Sequence, residues 1–370
     1  MSAWQTSTSP LYAVILAGGR GTRFWPRSRQ RRPKQLMNFW GQASLLQQTV
    51  ERLRPLILPA NIWVLTNAYL AQEVARQLPE VPRCQIIAEP VQRNTAPCIG
   101  LAAELIGARD AEAVLGVFPS DQTIRKPAAF RKVVRLAAKH AAQGAIVVLG
   151  IAPRWPETGY GYVEFARAPA LNPPKALSVK QFREKPSLAV AERYVRSKRF
   201  FWNSGMFFWK ASTIRDALRR HLPQTAAVLQ SIAEKLADSR GADPRYVQRV
   251  LKKLYPACEN ISVDYAVLER ASGVVGIPCD IGWNDVGSWN AVYDLLAHDR
   301  QGNVLRTEAL LLDSSGLLVD APGKLVAGVG LHNLVVVETG DALLIVPRAR
   351  AQEVSQLVKQ LEKDRRNNLL

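Results

Sequence analysis

LYAVILAGGRGTRFWPRSRQRRPKQ, residues 11–35, opens on an apolar run that ends in glycine. Leu11–Ala17 is too short to stand as a helix and reads as a strand buried on both faces. It leads into Gly18, Gly19 and Gly21, where the backbone can turn with positive φ and a ligand can approach the amides. Leu16 and Ala17 close the strand, Arg20, Thr22 and Arg23 are interleaved with or follow the glycines, and Lys34 comes after a basic, proline-bounded loop. Bare amides and fixed cations just past a buried strand are what a polyphosphate requires. A basic surface turn has the same composition, so the stretch alone leaves both readings open. Its spacing matches neither the Walker A pattern GxxxxGK[ST] nor the dinucleotide turn GxGxxG.

Working outward, short apolar runs alternate with amphipathic segments as far as Gly150. Ser44 reads as the N-cap of a helix whose single face carries Leu45, Leu46, Val50 and Leu53. The runs 62–66, 85–88, 113–118 and 145–150 read as buried strands, and 69–78, 96–106 and 127–142 as helices. This alternation predicts an α/β fold with a doubly wound, mostly parallel, Rossmann-like sheet. Ligands of such sheets sit outside the carboxyl ends of the strands. That rule makes the glycine loop, Glu89, and Pro119, Ser120 and Asp121 candidates. Two helices are expected within 212–254. From about Gly302 to Val346 short strands recur with Gly, Asp and Pro turns, predicting a small β-coil or β-helix-like unit, and 349–363 reads as a closing amphipathic helix. The expected domains are 1–298 and 299–370.

The 370 residues are 48% hydrophobic and 22% charged, as in a folded soluble protein. Cys84, Cys98, Cys258 and Cys279 form no CxxC pair, which argues against a zinc site or disulfide framework and for a reducing compartment. No signal pattern and no bilayer-length apolar run are seen, so cytoplasmic location is expected and no membrane partner. A net charge of +18 raises nucleic acid as a partner. The basic residues are spread along the chain, with one local cluster from Arg27 to Arg32, and no nucleic-acid motif accompanies them. The charge is therefore read as attraction for anionic substrates rather than a specific nucleic-acid function. His140, His221, His298 and His332 stand in unrelated contexts and suggest no Ser-His-Asp or Cys-His machinery.

Taken whole, Gly18-Gly19-Arg20-Gly21-Thr22-Arg23 with Phe24-Trp25-Pro26 and Pro33-Lys34-Gln35 resembles the signature of the sugar-1-phosphate nucleotidylyltransferases, in its mannose-1-phosphate guanylyltransferase variant. Glu89-Pro90 and Arg93-Asn94-Thr95-Ala96-Pro97 are similar to that family's nucleotide-side segments, and Pro119-Ser120-Asp121 to its metal-binding turn. Gly159-Tyr160-Gly161-Tyr162, Glu184-Lys185-Pro186 and Asn203-Ser204-Gly205 resemble its sugar-side motifs. Trp283-Asn284-Asp285-Val286-Gly287-Ser288-Trp289 resembles its second metal-binding segment. The likeness covers roughly 11–289, and the β-coil looks like the small C-terminal unit of shorter members. It implies GMP transfer from GTP to α-D-mannose 1-phosphate, with Mg²⁺ or alternatively Mn²⁺, in a homodimer or other homo-oligomer. Longer members append a cupin-like isomerase half, so that second activity is not expected. Another sugar 1-phosphate such as a heptose or glucose, another nucleotide, or a catalytically silent relative are the alternatives.

Each residue also has a plainer role available. Asp121 and Asp285 are hard oxygen donors suited to Mg²⁺ alongside substrate phosphates, yet Ser120 or Asp121 could cap a helix and Asp285 could form an Asx-turn beside Gly287. Glu184 and Lys185 suit a sugar phosphate or form a solvated ion pair. Asn203 can bind hydroxyls or sit in a turn. Gly159 and Gly161 admit a hexose or break a hairpin. Glu89 can accept the N1–H and N2–H₂ of guanine, or be a surface carboxylate.

Overall fold

The computed structural model describes residues 10–237 and 243–370. It divides into two compact units that are discontinuous in sequence. The first takes the segment ending at Gly18 with Thr49–Ser120 and Ile124–Trp283; the second takes Gly19–Gln48, Asp121–Thr123 and Asn284–Leu370.

The first unit is built on a nine-stranded sheet. Its strands are β1 (Leu11–Ala17), β2 (Ile62–Asn67), β3 (Ile86–Glu89), β4 (Val114–Pro119), β5 (Val147–Ile151), β6 (Tyr162–Phe165), β7 (Leu177–Arg183), β8 (Phe200–Lys210) and β9 (Val275–Cys279), in the order β3-β2-β1-β4-β8-β5-β9-β7-β6. β1 lies between β2 and β4, parallel to both, with Ile15 opposite Val64 and Phe118. Ala13, Val14 and Ile15 are fully buried there, which explains the unbroken apolar run. The β3-β2-β1-β4 half is the expected parallel arrangement. Beyond it β8 runs antiparallel to both β4 and β5, and β7 and β6 continue antiparallel. The aromatic stretch around Asn203 is thus a long central strand and not a turn.

The helix Thr95–Gly107 packs against the helices Ala211–His221 and Pro223–Leu236. Its small residues allow that approach: a Cβ on Gly100 would lie 2.7 Å from Leu218 and 2.6 Å from Leu229 side-chain carbons. The two helices expected within 212–254 are three, because Pro223 and Pro244 each open a new one, the last being Pro244–Leu254. Positions 238–242 of that stretch lie outside the described residues.

In the second unit, β10 (Val304–Leu305), β12 (Leu318–Asp320) and β14 (Leu334–Glu338) stack in parallel, as do β11 (Ala309–Leu312) and β13 (Val326–Val329). β15 (Leu343–Pro347) returns antiparallel on β14, giving the expected coil. The closing segment begins as a 3₁₀ turn, Arg348–Glu353, and continues as the helix Val354–Lys363. Phe24, Trp25, Phe39, Val286 and Trp289 share one core with Leu318, Val335, Val337 and Val358. Among the described residues no helix is long and apolar enough to cross a membrane.

Candidate active site

The second unit gathers the phosphate-loop cations and both candidate metal ligands. Gly21 has φ +62°, and a Cβ there would lie 2.5 Å from Lys34 Cβ and 2.8 Å from Lys34 N. Only glycine meets both demands, and its absence of side chain lets Lys34 pass directly beneath the loop. Gln35 Nε2 donates to Gly19 O at 3.0 Å, fixing the loop from the same side. Thr22–Phe24 forms one 3₁₀ turn that turns Phe24 into the core, with its ring 4.8 Å from Phe39 and 5.4 Å from Trp289. Trp289 Nε1 donates to Trp25 O at 3.1 Å. Packing of Phe24 on Trp289 therefore joins the signature loop to the Asp285–Trp289 segment.

Lys34 is buried, and its ammonium stands 2.9 Å from Asp121 Oδ2 and donates to the backbone oxygen of Asp285. Arg23 Nη1 donates to Gly287 O at 3.2 Å. Ser120 and Asp121 lie in a turn that leads into the short strand Thr123–Ile124 and not into a helix, so neither is a helix cap. The Asx-turn in the second segment belongs to Asn284, whose Oδ1 accepts from Val286 N at 2.7 Å. Val286, buried and β-branched, is held at φ +50°. Such a conformation costs of order 1–3 kcal/mol and persists where neighbours impose it, often at functional sites. A Cβ on Gly287 would lie 2.7 Å from Asp285 Oδ2, so the glycine leaves room for that carboxylate. The Lys34 ammonium thus meets the carboxylate of Asp121 and the backbone oxygen of Asp285, and among the described residues no group of three or more His, Cys, Asp or Glu side chains is gathered that could hold a metal ion. Arg20 takes a different place: it is ion-paired with Glu362 of the closing helix. Arg27 and Arg29 of the basic cluster are likewise paired, with Asp320 and Asp341.

The first unit holds the remaining candidates in two groups. At the carboxyl ends of β1, β2 and β3, Leu16 O accepts from Ser120 N at 3.1 Å and Ser120 Oγ at 2.7 Å, beside Pro119 at the end of β4. Ala17 O accepts from Thr66 Oγ1 at 3.0 Å, and Gly18 O from Asn67 Nδ2 at 3.0 Å. A Cβ on Gly18 would be 3.8 Å from both Asn67 Oδ1 and Glu89 Oε2. Glu89 is buried rather than on the surface, and accepts from the hydroxyl of Tyr255. Burial pushes its carboxyl up to about 7, against hydrogen bonds from Tyr255 and Cys98 that favour the anion. Asn94, at φ +62°, caps the next helix by accepting from Thr95 N at 2.9 Å. Ala96 N donates to Ile261 O at 3.1 Å and Thr95 Oγ1 accepts from Val263 N at 2.9 Å, so this segment anchors the chain around 261–263.

The sugar-side motifs form the other group. Gly159 N donates to Glu157 Oε1 at 2.9 Å, and the Tyr160 ring stands edge-on to Trp202 and Trp283 at 5.4 and 5.5 Å. A Cβ on Gly161 would collide with Glu184 Oε2, which is buried and has no hydrogen-bond partner among the described residues. Lys185 Nζ is 3.2 Å from Glu184 Oε1, so the pair is one buried carboxylate and one exposed ammonium, not a solvated surface contact. Burial raises the Glu184 carboxyl, the neighbouring Asp264 raises it further, and Lys185 opposes both. Asn203 pairs with Asp264 (Nδ2 to Oδ1, 2.9 Å), and Gly205, at φ +71°, donates its N–H to Asn203 Oδ1 at 3.1 Å. Sequence reasoning missed Asp264, Tyr255 and Asn67. Asp264 alone carried a signal, as an acid within the otherwise apolar run Val263–Leu268.

A family profile described as nucleotidyl transferase matches residues 12–302, and one described as MannoseP isomerase/GMP-like beta-helix domain matches 307–361. The chain is 40% identical to the xanthan biosynthesis protein XanB of Xanthomonas campestris pv. campestris (strain B100), over 96% of its own length and 74% of the relative's. It is 38% identical to a mannose-1-phosphate guanylyltransferase of Escherichia coli (strain K12), over 97% and 75% respectively. A solved structure from Thermus thermophilus, described as a mannose-1-phosphate geranyltransferase, aligns at TM-score 0.82 and 34% identity, covering 95% of this chain and 99% of that one.

Proposed function

Because the chain belongs to the nucleotidyl transferase family, we propose that it transfers GMP from GTP to α-D-mannose 1-phosphate and releases pyrophosphate. The observation that carries this reading is the meeting of Lys34 with Asp121 and the Asp285 segment beneath a glycine loop. A phosphate oxygen of the sugar phosphate attacks the α-phosphorus in line; the new P–O bond forms as the bond to the β-phosphate oxygen breaks. The attacking oxygen is already anionic, so no base is needed and catalysis is positioning with charge neutralisation.

Lys34 and Arg23 neutralise the leaving pyrophosphate, and the loop from Leu16 to Thr22 presents its amides. Asp121 and Asp285 would hold Mg²⁺ or Mn²⁺, which supplies charge stabilisation to the phosphoryl oxygens when bound. Glu89 reads guanine, and Asn94, Thr95, Ala96, Pro119 and Ser120 serve the nucleotide side. Lys185 holds the sugar phosphate, while Gly159, Tyr160, Gly161, Glu184, Asn203 and Gly205 receive the hexose. By the order of the motifs we assign the catalytic domain to 1–298 and the coil to 299–370, whereas the compact units divide differently, and we place the chain in a cytoplasmic homo-oligomer. Pyrophosphate release measured over four nucleoside triphosphates and several sugar 1-phosphates tests this. The GTP–mannose 1-phosphate pair is expected to exceed all others, and silence of every pair would refute enzymatic function.

A further inference from the structure

The carboxylate cluster around Asn203 contains one acid that the proposed chemistry leaves unassigned. Asp264 lies in a π-helical turn, Asp264–Leu268, and its Oδ1 accepts from Asn203 Nδ2 at 2.9 Å. Burial pushes its carboxyl up, while its own backbone N–H, Asn203, the nearby Lys185 cation and Ser262 oppose that rise. The Asn203 amide is thus a donor held by a buried carboxylate. A carboxylate so surrounded has little capacity left for a ligand but strong power to orient its donors.

Asn203 shows the consequence. An amide oxygen has two lone pairs and an amide nitrogen two hydrogens. Asp264 takes one hydrogen and Gly205 N–H takes one lone pair at 3.1 Å. The two neighbours fix which end is nitrogen, since a flipped amide would set oxygen against carboxylate and N–H against N–H. What remains on the amide is one N–H and one lone pair. Close by, Glu184 Oε2 is buried, unpartnered and aimed at the space a Gly161 side chain would fill. One donor and two acceptors, gathered around Gly161, are the complement that a pair of neighbouring hydroxyls needs.

We propose that Asp264 is a positioning residue that locks the Asn203 amide so that it and Glu184 recognise a vicinal diol of the sugar phosphate. The inference rests on the assignment of this group to the sugar phosphate. Around Glu184 the charged neighbours are Lys185, Asp264 and Glu269, whose Oε1 accepts from Glu184 N at 3.1 Å.

The test is steady-state kinetics of Asp264→Asn, which keeps shape but turns an N–H₂ toward donors. The KM for mannose 1-phosphate is expected to rise about tenfold, with KM for GTP unchanged. In the Asn203→Ala background the same change should add nothing. Should Asp264→Asn not fold, Asn203→Asp serves instead. It sets two carboxylates face to face, and should bind sugar phosphate worse than Asn203→Ala at about pH 8 yet recover at about pH 5.5 as the pair takes up a proton. Wild-type turnover with an unchanged sugar-phosphate KM in Asp264→Asn, or equal effects on both substrates, would overturn the assignment. In that second variant, parity of Asn203→Asp with Asn203→Ala at the higher pH would do the same. A wild-type chain that turns over no sugar phosphate would instead refute the functional reading beneath it.

Discussion

Lys34 is an ammonium buried under a glycine loop and held by oxygens from two distant segments. Asp121 and Asp285 are reached through it, and charge stabilisation at a reacting phosphate is commonly the largest catalytic term. Asp121→Asn and Asp285→Asn should each lower kcat by about a hundredfold or more while leaving thermal unfolding nearly unchanged. Turnover within a fewfold of wild type in Asp285→Asn would remove that residue from the site. Glu89 gives a pH signature. Its carboxyl rises from the ordinary 4.5 to about 7 through burial. Between those values the folded chain keeps a proton that the unfolded chain has released, so stability from neutral Glu89 is present below pH 4.5 and lost as pH rises toward 7. Glu89→Gln removes this loss, and its advantage over wild type should grow from about pH 5 to about pH 8 by up to about 3 kcal/mol in urea titrations. Burial is also why Glu89 and Asp264 were hard to read from sequence. A glutamate after a short strand looks the same whether Tyr255 covers it or water does.

At the scale of elements, legibility followed local periodicity. The helix Pro127–Ala142 and the strand Leu11–Ala17 fall where their patterns place them, because proline, glycine and apolar spacing act within a few residues. Ser44 is a capping residue in both directions: Ser44 N donates to Gln47 Oε1 at 2.9 Å and Gln47 N to Ser44 Oγ at 3.2 Å. Ser44→Ala should therefore cost about 1 kcal/mol, seen as a lowered melting temperature, and an unchanged melt would show that the reciprocal bonds carry no net stability. The strand Phe200–Lys210 was not legible as a strand. Its Asn-Ser-Gly centre carries turn composition, and only pairing with β4 and β5, distant in sequence, holds it extended.

At the scale of the molecule, the compact units cut across the order of the chain. Gly19–Gln48 and Asp121–Thr123 belong with Asn284–Leu370, not with the sheet that precedes and follows them. Apolar texture could not announce this, since it rests on Phe24, Phe39 and Trp289 finding one another across the sequence. The order of motifs nonetheless marked Lys34, Asp121 and Asp285, and the second unit brings them into one group. The central claim is transfer of a nucleotidyl group, which isotopic labelling distinguishes from every hydrolytic or phosphoryl-transfer alternative. With mannose 1-phosphate and Mg²⁺, GTP labelled at the α-phosphorus should pass its label into a sugar nucleotide, while γ-label should leave in pyrophosphate. Appearance of γ-label as orthophosphate, or α-label remaining in guanosine nucleotides alone, would contradict the account.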